Sequence, residues 1–457
     1  MDICASSFRD PSATVYKSQG KIYRRIEAQY FPHYDHFMQS GLYESLIQKE
    51  KIVAHKELER NNNHLIIEPA IIPFISYPYE WCFSQLKDAA LLTLELQKEA
   101  LAHEMILKDA TAFNVQFHKG QAIFIDTTSF ETYEKGQPWA AYRQFCQHFL
   151  IPLVLMSHVD PALNQLSSRF LDGIPLSVGA KLLPLSAKLS LTNLLHIVLH
   201  QKTSQKHETT EPSQENNAHK KAPSISKNSL LGLIDQLEGY ISKLDLKMKK
   251  SEWLNYYNET NYDEDATINK HQIVRSWIGS SLPRSIYDCG ANTGSYSRIA
   301  SDFGIPTVAF DHDFYVVEAM YRRLKEETNQ NILPLHIDFT NPSPLLGWAQ
   351  EEREGLLERG PVEMAMALAL IHHIAIGQNV PLPRISKFFA QLCNTLIIEM
   401  VPKEDSQVQR LLAAREDIFP HYTLEGFESA FSNDFEIKEK KEIVGSCRTL
   451  YLMSKIK

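Results

Sequence analysis

One strand-turn-helix segment, residues 286–301, constrains the fold of this chain more than any other. Apolar residues lead into Asp288, glycines follow at positions 290 and 294, and a helix-like run begins at Ser295. Glycine adopts backbone angles that other residues avoid and lets a ligand approach the main chain. The helix beyond offers unpaired N–H groups and the positive end of its dipole. The segment therefore predicts an α/β sheet that binds a nucleotide-like ligand at this turn.

The turn differs from two well-known phosphate-binding turns. Its spacing is Asp-x-Gly-x-x-x-Gly, with Asn292 where a dinucleotide fingerprint often has its middle glycine, and no Gly-Lys-Ser/Thr follows. A nicotinamide enzyme is therefore the weaker interpretation. The turn resembles motif I of the class I S-adenosylmethionine (SAM) methyltransferases, in which an Asp-x-Gly-Ala-Asn-x-Gly variant is common. The alternative is an ordinary glycine turn of an α/β domain.

Acidic residues stand at the ends of successive predicted strands after this turn. Asp311 ends the second strand and Asp338 the third, with Phe339 beside it. Because ligands of open α/β sheets lie outside the carboxyl ends of the strands, these acids are candidate cofactor contacts. We expect a doubly wound, Rossmann-like parallel sheet, closed by an antiparallel hairpin within residues 435–454.

The resemblance implies that the cofactor is SAM. Asp311 is placed to accept both ribose hydroxyls and Asp338 the adenine amino group, with Phe339 flanking the ring and Asp288 near the methionine portion. No metal is expected in this domain. The predicted cofactor site comprises Asp288, Gly290, Asn292, Gly294, Asp311, Asp338 and Phe339.

Candidate catalytic residues follow the fourth and fifth predicted strands. His372 and His373 are adjacent, so in an extended chain one would reach the pocket while the other packs. A pocket histidine of near-neutral pKa can take a proton from an oxygen or nitrogen nucleophile. The alternative is a packed pair that only fixes the loop, and two histidines alone make a weak metal site. Glu399 and residues 403–405 lie on the same rim, as acceptor contacts or as solvated charges.

The N-terminal part carries a second pattern. Asp109 is followed five residues later by Asn114, and a predicted hairpin then leads to Asp126 at a strand end. This resembles the core of the protein-kinase and aminoglycoside-phosphotransferase superfamily. The resemblance implies that Asp109 orients or deprotonates the acceptor hydroxyl, while Asn114 and Asp126 hold Mg²⁺ on ATP. Residues 73–78 would form the hinge between two lobes.

The same segment departs from the kinase pattern. Lys108 stands where kinases have Arg, Asp126 is followed by two threonines rather than Phe-Gly, and no Gly-rich loop precedes the first strand. The phosphate-pairing cation is open between Lys21, Arg24 and Arg25. Three interpretations remain: an active Mg-ATP phosphotransferase, a degenerate kinase-like domain that binds substrate or a partner, and acids that only cap turns.

Composition divides the chain and bounds its class. Residues 201–227 hold almost no large apolar residue, which predicts a flexible linker between an N-terminal α+β domain (1–200) and a helical connector (228–264). The methyltransferase domain would then span residues 265–457. Upstream of its sheet, Trp253, Tyr256 and Tyr257 are candidates for a pocket lid or for core packing.

Charge and cysteine content indicate a cytoplasmic protein. Net charge is −8, which gives no global attraction to nucleic acid or to an anionic membrane. Six scattered cysteines argue against a zinc site or a disulfide framework. The N-terminus lacks an apolar signal core, and the most apolar run, residues 149–156, is too short to span a bilayer.

Nearly the whole chain resembles a bacterial class I methyltransferase family. The resemblance rests on Leu368–Ile374, on Asn341–Pro344 with Gly347-Trp348, and on Ile397–Lys403. It implies an enzyme that methylates an oxygen or nitrogen of a small-molecule or saccharide-like acceptor. The alternatives are a bifunctional protein whose N-terminal domain transfers phosphate from Mg-ATP, and a non-catalytic SAM-binding scaffold.

Overall fold

The computed structural model describes residues 2–199, 224–249, 264–413 and 415–456. Most of the predicted linker lies outside these residues, because only positions 224–227 of it are described. The candidate lid residues Trp253, Tyr256 and Tyr257 also lie outside them.

The chain forms two compact units. Unit 1 comprises Met1–Lys247 with Leu346–Arg353, and unit 2 comprises Met248–Leu345 with Glu354–Lys457. Residues 346–353 join unit 1 through the ion pair between Arg9 and Glu352 (2.7 Å). The helix at residues 227–241, which the sequence assigned to a connector, is also part of unit 1.

Unit 1 begins with an antiparallel sheet in which β3 lies beside β5, so the order is β1-β2-β3-β5-β4. Two short helices stand between β3 and β4 in the chain. Ile26, Tyr34 and Leu65 form the core between sheet and helices. The elements are β1 (Asp2–Ile3), β2 (Ala13–Ser18), β3 (Lys21–Glu27), α1 (Phe31–Gln39), α2 (Leu42–Gln48), β4 (His55–Arg60) and β5 (His64–Pro69).

The rest of unit 1 is mainly helical. A long helix, α3, buries leucines and alanines along one face, and two short antiparallel strand pairs, β6–β9 and β7–β8, follow it. The elements are α3 (Phe83–Ala102), β6 (Met105–Leu107), β7 (Val115–His118), β8 (Gln121–Phe124), β9 (Phe130–Thr132), α4 (Tyr142–Phe145), α5 (Ile151–His158), α6 (Leu176–Leu182), α7 (Leu185–Lys188), α8 (Leu191–Asn193) and α9 (Lys227–Ile241).

Unit 2 is built on one sheet whose described strands lie in the order β12-β11-β10-β13-β14-β16-β15. The first five of these are parallel, and β16 and β15 close the sheet as an antiparallel hairpin. The predicted α/β organisation is therefore confirmed. The elements are α10 (Glu264–Ser281), β10 (Ile286–Cys289), α11 (Ser295–Asp302), β11 (Thr307–Asp311), α12 (Phe314–Glu326), β12 (Ile332–His336), β13 (Val362–Ala367), α13 (Leu382–Leu392), β14 (Cys393–Met400), α14 (Ser406–Leu412), α15 (Leu424–Phe431), β15 (Phe435–Glu442) and β16 (Thr449–Lys455).

Strand β10 is the pivot of this sheet. It pairs with β11 on one side and β13 on the other, so the strand order reverses at its end, where open α/β sheets bind ligands. All four of its residues are buried, which explains the apolar run before the glycine turn. Of the helices in the described ranges, none combines the length and apolarity that crossing a bilayer requires.

Candidate functional site

The glycine turn after β10 has three residues in the left-handed region. Gly290, Asn292 and Gly294 have φ of +77°, +50° and +80°. A Cβ on Gly290 would lie 3.3 Å from Leu370, and one on Gly294 would lie 3.0 Å from Met320 Sδ. Asn tolerates this conformation, and its Oδ1 accepts the N–H of Thr293 at 2.7 Å. The turn is thus closely packed against Leu370 and Met320, which leaves little space for a Cβ at either glycine.

Asp311 lies beside this turn at the end of β11. Its Oδ2 accepts the backbone N–H of Asn292 at 2.9 Å, and its Oδ1 accepts that of Asp313 at 3.0 Å. Oδ2 keeps a second lone pair, because a carboxylate accepts about four hydrogen bonds over its two oxygens. The next residue, His312, lies 3.5 Å from Oδ1, and this contact with Asp311 raises its pKa. We did not identify His312 from the sequence, although it directly follows the predicted acid.

Asp288 lies deeper than the other two acids. Its Oδ2 accepts the hydroxyl of Ser297 at 2.6 Å, and its side chain is buried. Burial raises its pKa to about 6, the Ser297 hydrogen bond opposes this, and the charge of Asp311 adds to it. Asp288 therefore anchors α11 to β10, which fixes the turn between them.

Asp338 and Phe339 follow β12 and have separate surroundings. Asp338 Oδ1 accepts the backbone N–H and hydroxyl of Thr340 at 2.8 and 2.6 Å. The ring of Phe339 is buried edge-on against Phe310 and Phe388, with centroids at 5.8 and 6.2 Å. Phe339 thus supports the wall of the candidate site from the core.

The two histidines after β13 are not in an extended chain. The strand ends at Ala367, Ala369 is left-handed (φ +51°), and a single π-helical turn spans His373–Gly377. The condition for their facing opposite ways, an extended chain, is therefore not met, and successive side chains of a helical turn point about 100° apart. Their ring centroids are 4.1 Å apart.

Burial separates the two histidines. His372 is fully buried, neither ring nitrogen has a partner among the described residues, and burial sets its pKa well below the usual range. His373 is partly exposed, and burial lowers its pKa to about 4, with the charge of His312 adding to the effect. Both rings are thus neutral at physiological pH. Of the two, His373 is the one that reaches solvent, and its pKa is influenced by the charges of His312 and Asp311 at the candidate cofactor site.

Glu399, the third catalytic candidate, lies in a buried cluster of charges. Its Oε2 accepts Lys270 Nζ at 2.6 Å and the backbone N–H of Ala369 at 2.8 Å. Arg448 lies 3.4 Å from Oε1 and pairs with Asp405 at 2.7 Å. Glu399 therefore balances two cations and holds the left-handed Ala369 in place. Sequence analysis missed Lys270 and Arg448, because both lie far from Glu399 in the chain.

The nearby cleft in unit 2 is distinct from these acids. A volume of about 640 Å³ opens between α10 and α11, where His271, Thr293, Ser295 and Arg298 contribute to its lining. None of Asp288, Asp311 and Asp338 lines it. The cleft therefore touches only the outer side of the turn.

In unit 1, two of the three kinase-like candidates, Asn114 and Asp126, share one hydrogen-bond network. Ser129 Oγ donates to Asp126 Oδ2 at 2.6 Å and accepts Asn114 Nδ2 at 3.1 Å. Asp109 accepts the backbone N–H of Thr111 at 3.1 Å, as a turn-capping aspartate does. The guanidinium of Arg353, from the unit 1 segment 346–353, covers the ring of Phe113 at 4.3 Å.

Arg24 settles which of the three cations reaches Asp126. Its guanidinium forms an ion pair with Asp126 Oδ1, whereas Lys21 pairs with Glu68 (2.8 Å) and Arg25 with Glu27 (3.0 Å) at the surface. Thr128 contributes its backbone N–H at 3.1 Å and its hydroxyl at 2.8 Å to the same oxygen. Both oxygens of Asp126 are thus engaged by donors, and a guanidinium stands where Mg²⁺ would need a free carboxylate. The residues as arranged do not fit that metal.

Fold and site together define the class of unit 2. A parallel sheet that reverses at β10, a closing antiparallel hairpin, and a glycine turn bonded to an acid on the next strand form a doubly wound α/β unit. The sequence is 36% identical over 459 residues to nodulation protein NoeA of Rhizobium meliloti (strain 1021), covering 98% of this chain and 95% of NoeA. The chain therefore belongs to the NoeA family. No family model matches it.

Two solved structures resemble part of the chain. Magnesium protoporphyrin IX methyltransferase (ChlM) from Synechocystis PCC 6803, with bound SAH, is 16% identical and covers 45% of this chain and 93% of its own, at a TM-score of 0.32. The bifunctional kinase-methyltransferase WbdD is 14% identical, and the match covers 48% of this chain and 46% of WbdD, at 0.29. These scores are too low to define a fold, whereas the strand order defines it directly.

Proposed function

We propose that this protein is a SAM-dependent methyltransferase whose cofactor site lies at the carboxyl ends of β10, β11 and β12. The observation that carries the proposal is the hydrogen bond between Asn292 and Asp311, which brings the glycine turn and an acid together at the strand-order reversal. When bound, SAM supplies an electrophilic methyl group on its sulfonium. Glycine at positions 290 and 294 gives the turn its left-handed backbone and leaves the main chain without side chains at these positions.

Each site residue has a distinct task in this proposal. Asp311 offers the second lone pair of Oδ2 to a ligand hydroxyl, while its bonds to Asn292 and Asp313 keep it from turning away. Asp338 provides the polar contact at the far end, and Asp288 fixes the turn through Ser297. Alignment of the nucleophile with the methyl group is then the main catalytic requirement.

His373 is the proposed contact to the acceptor nucleophile. Its pKa of about 4 keeps the ring neutral, so it accepts a hydrogen bond from a hydroxyl or amine but holds a proton poorly. It therefore orients the nucleophile and passes the proton on to solvent. His372 and Glu399 support the loop that carries it, the first by packing and the second by its bond to Ala369. The acceptor class that we propose is a small molecule or saccharide bearing such a group.

We propose for unit 1 a kinase-like fold that does not transfer phosphate. The sheet order, the helices between β3 and β4, and the hairpin between Asn114 and Asp126 support that fold. The ion pair of Arg24 with Asp126 argues against the Mg-ATP activity. Unit 1 would then serve recognition, and the chain would carry one chemical activity.

The test is calorimetric titration of the full-length protein with S-adenosylhomocysteine and then with Mg-ATP. We expect saturable binding of the first and none of the second at millimolar nucleotide. Transfer of label from methyl-labelled SAM into fractions of a bacterial small-molecule extract then tests turnover, with Asp311→Ala as the negative control. If S-adenosylhomocysteine does not bind, the proposed cofactor site is contradicted. Binding without transfer into any fraction would favour the non-catalytic scaffold.

A further inference from the structure

Unit 1 exposes a group of leucines that the proposed function does not use. Leu185 and Leu189 are 79% and 84% exposed, and Leu191 is 65% exposed. They lie on the short helices α6, α7 and α8 and in the turns beside them. We call this the leucine face; it consists of Leu182, Leu185, Leu189, Leu191, Leu194 and Leu195.

The inner side of the same helices is already packed. Leu183, Ala187 and Ile197 are buried, and Asn193 Nδ2 donates to the carbonyl of Ala187 at 3.0 Å. His196 is held by the hydroxyl of Tyr142 at 2.5 Å. Turning the leucines inward would expose these residues and break their hydrogen bonds. The packed and hydrogen-bonded inner side therefore keeps the leucine face exposed to solvent.

Charge around the leucine face differs from that of the whole chain. Residues 173–207 contain no Asp or Glu, while they contain four lysines at positions 181, 188, 202 and 206. The protein as a whole has a net charge of −8. Within this acidic protein, a stretch without Asp or Glu therefore contains both the exposed leucines and several lysines. This local charge complements an anionic surface.

Composition discriminates between the candidate occupants of the face. Protein interfaces are enriched in aromatic residues, Met and Arg and depleted in Lys, but residues 176–199 contain none of the first three classes. The chain that follows, residues 201–223, has no large aliphatic or aromatic residue with which to cover leucines. Leucines with flanking lysines are the pattern of helices that lie in a lipid interface.

We propose that the leucine face docks this protein on the surface of a lipid bilayer that carries anionic headgroups. The leucines enter the boundary between headgroups and acyl chains, while Lys181 and Lys188 contact the headgroup charges. Apolar insertion and basic attraction act together, because either signal alone gives only weak membrane binding. The helices are too short to span a bilayer, so the protein lies on the surface.

Vesicle co-sedimentation of the full-length protein tests this docking. We expect at least tenfold stronger partition onto vesicles of phosphatidylglycerol and phosphatidylcholine than onto phosphatidylcholine alone, at about 0.1 M salt. Leu185→Ser with Leu189→Ser should lower partition tenfold or more. Lys181→Glu with Lys188→Glu should remove the preference for anionic vesicles. The matched control, Leu58→Ser with Ile71→Ser, changes exposed apolar residues elsewhere in unit 1 and should leave binding unchanged.

Three outcomes would overturn the proposal. The first is wild-type protein that does not partition onto anionic vesicles, and the second is partition that the leucine variant leaves unchanged. The third is a lower melting temperature in the leucine variant but not in its control, which would mean that the face packs within the chain. Sedimentation equilibrium is run in parallel: a dimer lost only in the leucine variant, without vesicle binding, would make the face an interface between copies. Binding of S-adenosylhomocysteine should be equal in all variants.

Discussion

The carboxylate of Asp311 accepts the backbone N–H of Asn292 at 2.9 Å. This bond joins the end of β11 to the glycine turn after β10, so one side chain both shapes the turn and belongs to the proposed cofactor site. The bond supports the left-handed backbone of Asn292 (φ +50°), a conformation that residues other than glycine adopt uncommonly. The geometry of the turn and the chemistry of the acid are thus coupled.

Replacing Asp311 with Ala should weaken binding of S-adenosylhomocysteine at least 30-fold. The variant loses the acceptor for ligand hydroxyls and leaves the N–H groups of Asn292 and Asp313 unpaired, which together cost about 2 kcal/mol or more. Calorimetry measures the change. Asp302→Asn, at an exposed acid on α11, is the control and should bind normally. Unchanged affinity in a folded Asp311→Ala protein would remove Asp311 from the site.

Local sequence predicted the turn and the strand-end acids, because each depends on residues that are neighbours in the chain. Strand ends follow from where an apolar run meets an acid, and the sheet then brings those ends together. Two features could not be predicted in this way. The left-handed Ala369 ends the extended chain early without a glycine to signal it, so the condition for the orientation expected of His372 and His373 is not met.

The buried charge cluster around Glu399 could not be predicted from local sequence for a different reason. Lys270 comes from α10 and Arg448 immediately precedes β16, and each meets Glu399 only after the sheet has formed. No spacing in the chain marks such partners. The same holds for Arg24 and Asp126, which are 102 positions apart. Acids were therefore easier to find than the cations that neutralise them.

Glu399→Gln should destabilise unit 2 by about 3 kcal/mol, because it leaves the buried Lys270 without a counter-charge. Lys270→Met should cost a similar amount for the converse reason. The double variant should recover much of the loss, since Arg448 keeps its bond to Asp405. Urea unfolding of the four proteins gives the coupling energy of the cycle. Additive losses would mean that the two charges do not depend on each other.

The same double variant tests whether Glu399 only positions the loop or takes part in methyl transfer. If Glu399 only positions Ala369 and the loop, a refolded Lys270→Met, Glu399→Gln protein should keep S-adenosylhomocysteine affinity within threefold, and label transfer should fall no more than affinity does. A transfer rate that falls a hundredfold at normal affinity would instead place Glu399 among the catalytic residues.

Histidine burial predicts that unit 2 loses stability below neutral pH. Burial lowers the pKa of His373 to about 4, from 6.5 in the unfolded chain. The unfolded chain therefore binds more protons between these values, and the free energy of unfolding should fall by about 1 to 2 kcal/mol per such histidine from pH 7 to pH 5. Asp288 acts in the opposite direction, because its raised pKa of about 6 lets the folded state bind a proton first.

Comparison with a variant isolates the histidine contribution from that of Asp288. His373→Gln removes one titrating group, so its unfolding free energy should lose about 1 to 2 kcal/mol less than wild type between pH 7 and pH 5. Urea unfolding at several pH values measures the difference. His421→Gln, at an exposed histidine, should follow the wild-type curve. Identical curves for His373→Gln and wild type would contradict burial of a neutral ring.

The Arg24–Asp126 ion pair predicts that Mg-ATP has no stabilising effect on unit 1. Ligand binding to the native state raises the melting temperature, so differential scanning fluorimetry with and without millimolar Mg-ATP should give the same transition. Arg24→Met should lower stability by about 3 kcal/mol, because Asp126 is left partly buried without its cation. Lys21→Met breaks an exposed pair with Glu68 and should change stability by less than about 1 kcal/mol. A clear rise in the melting temperature of the wild type with Mg-ATP would mean that the metal displaces Arg24 from Asp126. Unit 1 would then be a phosphotransferase candidate.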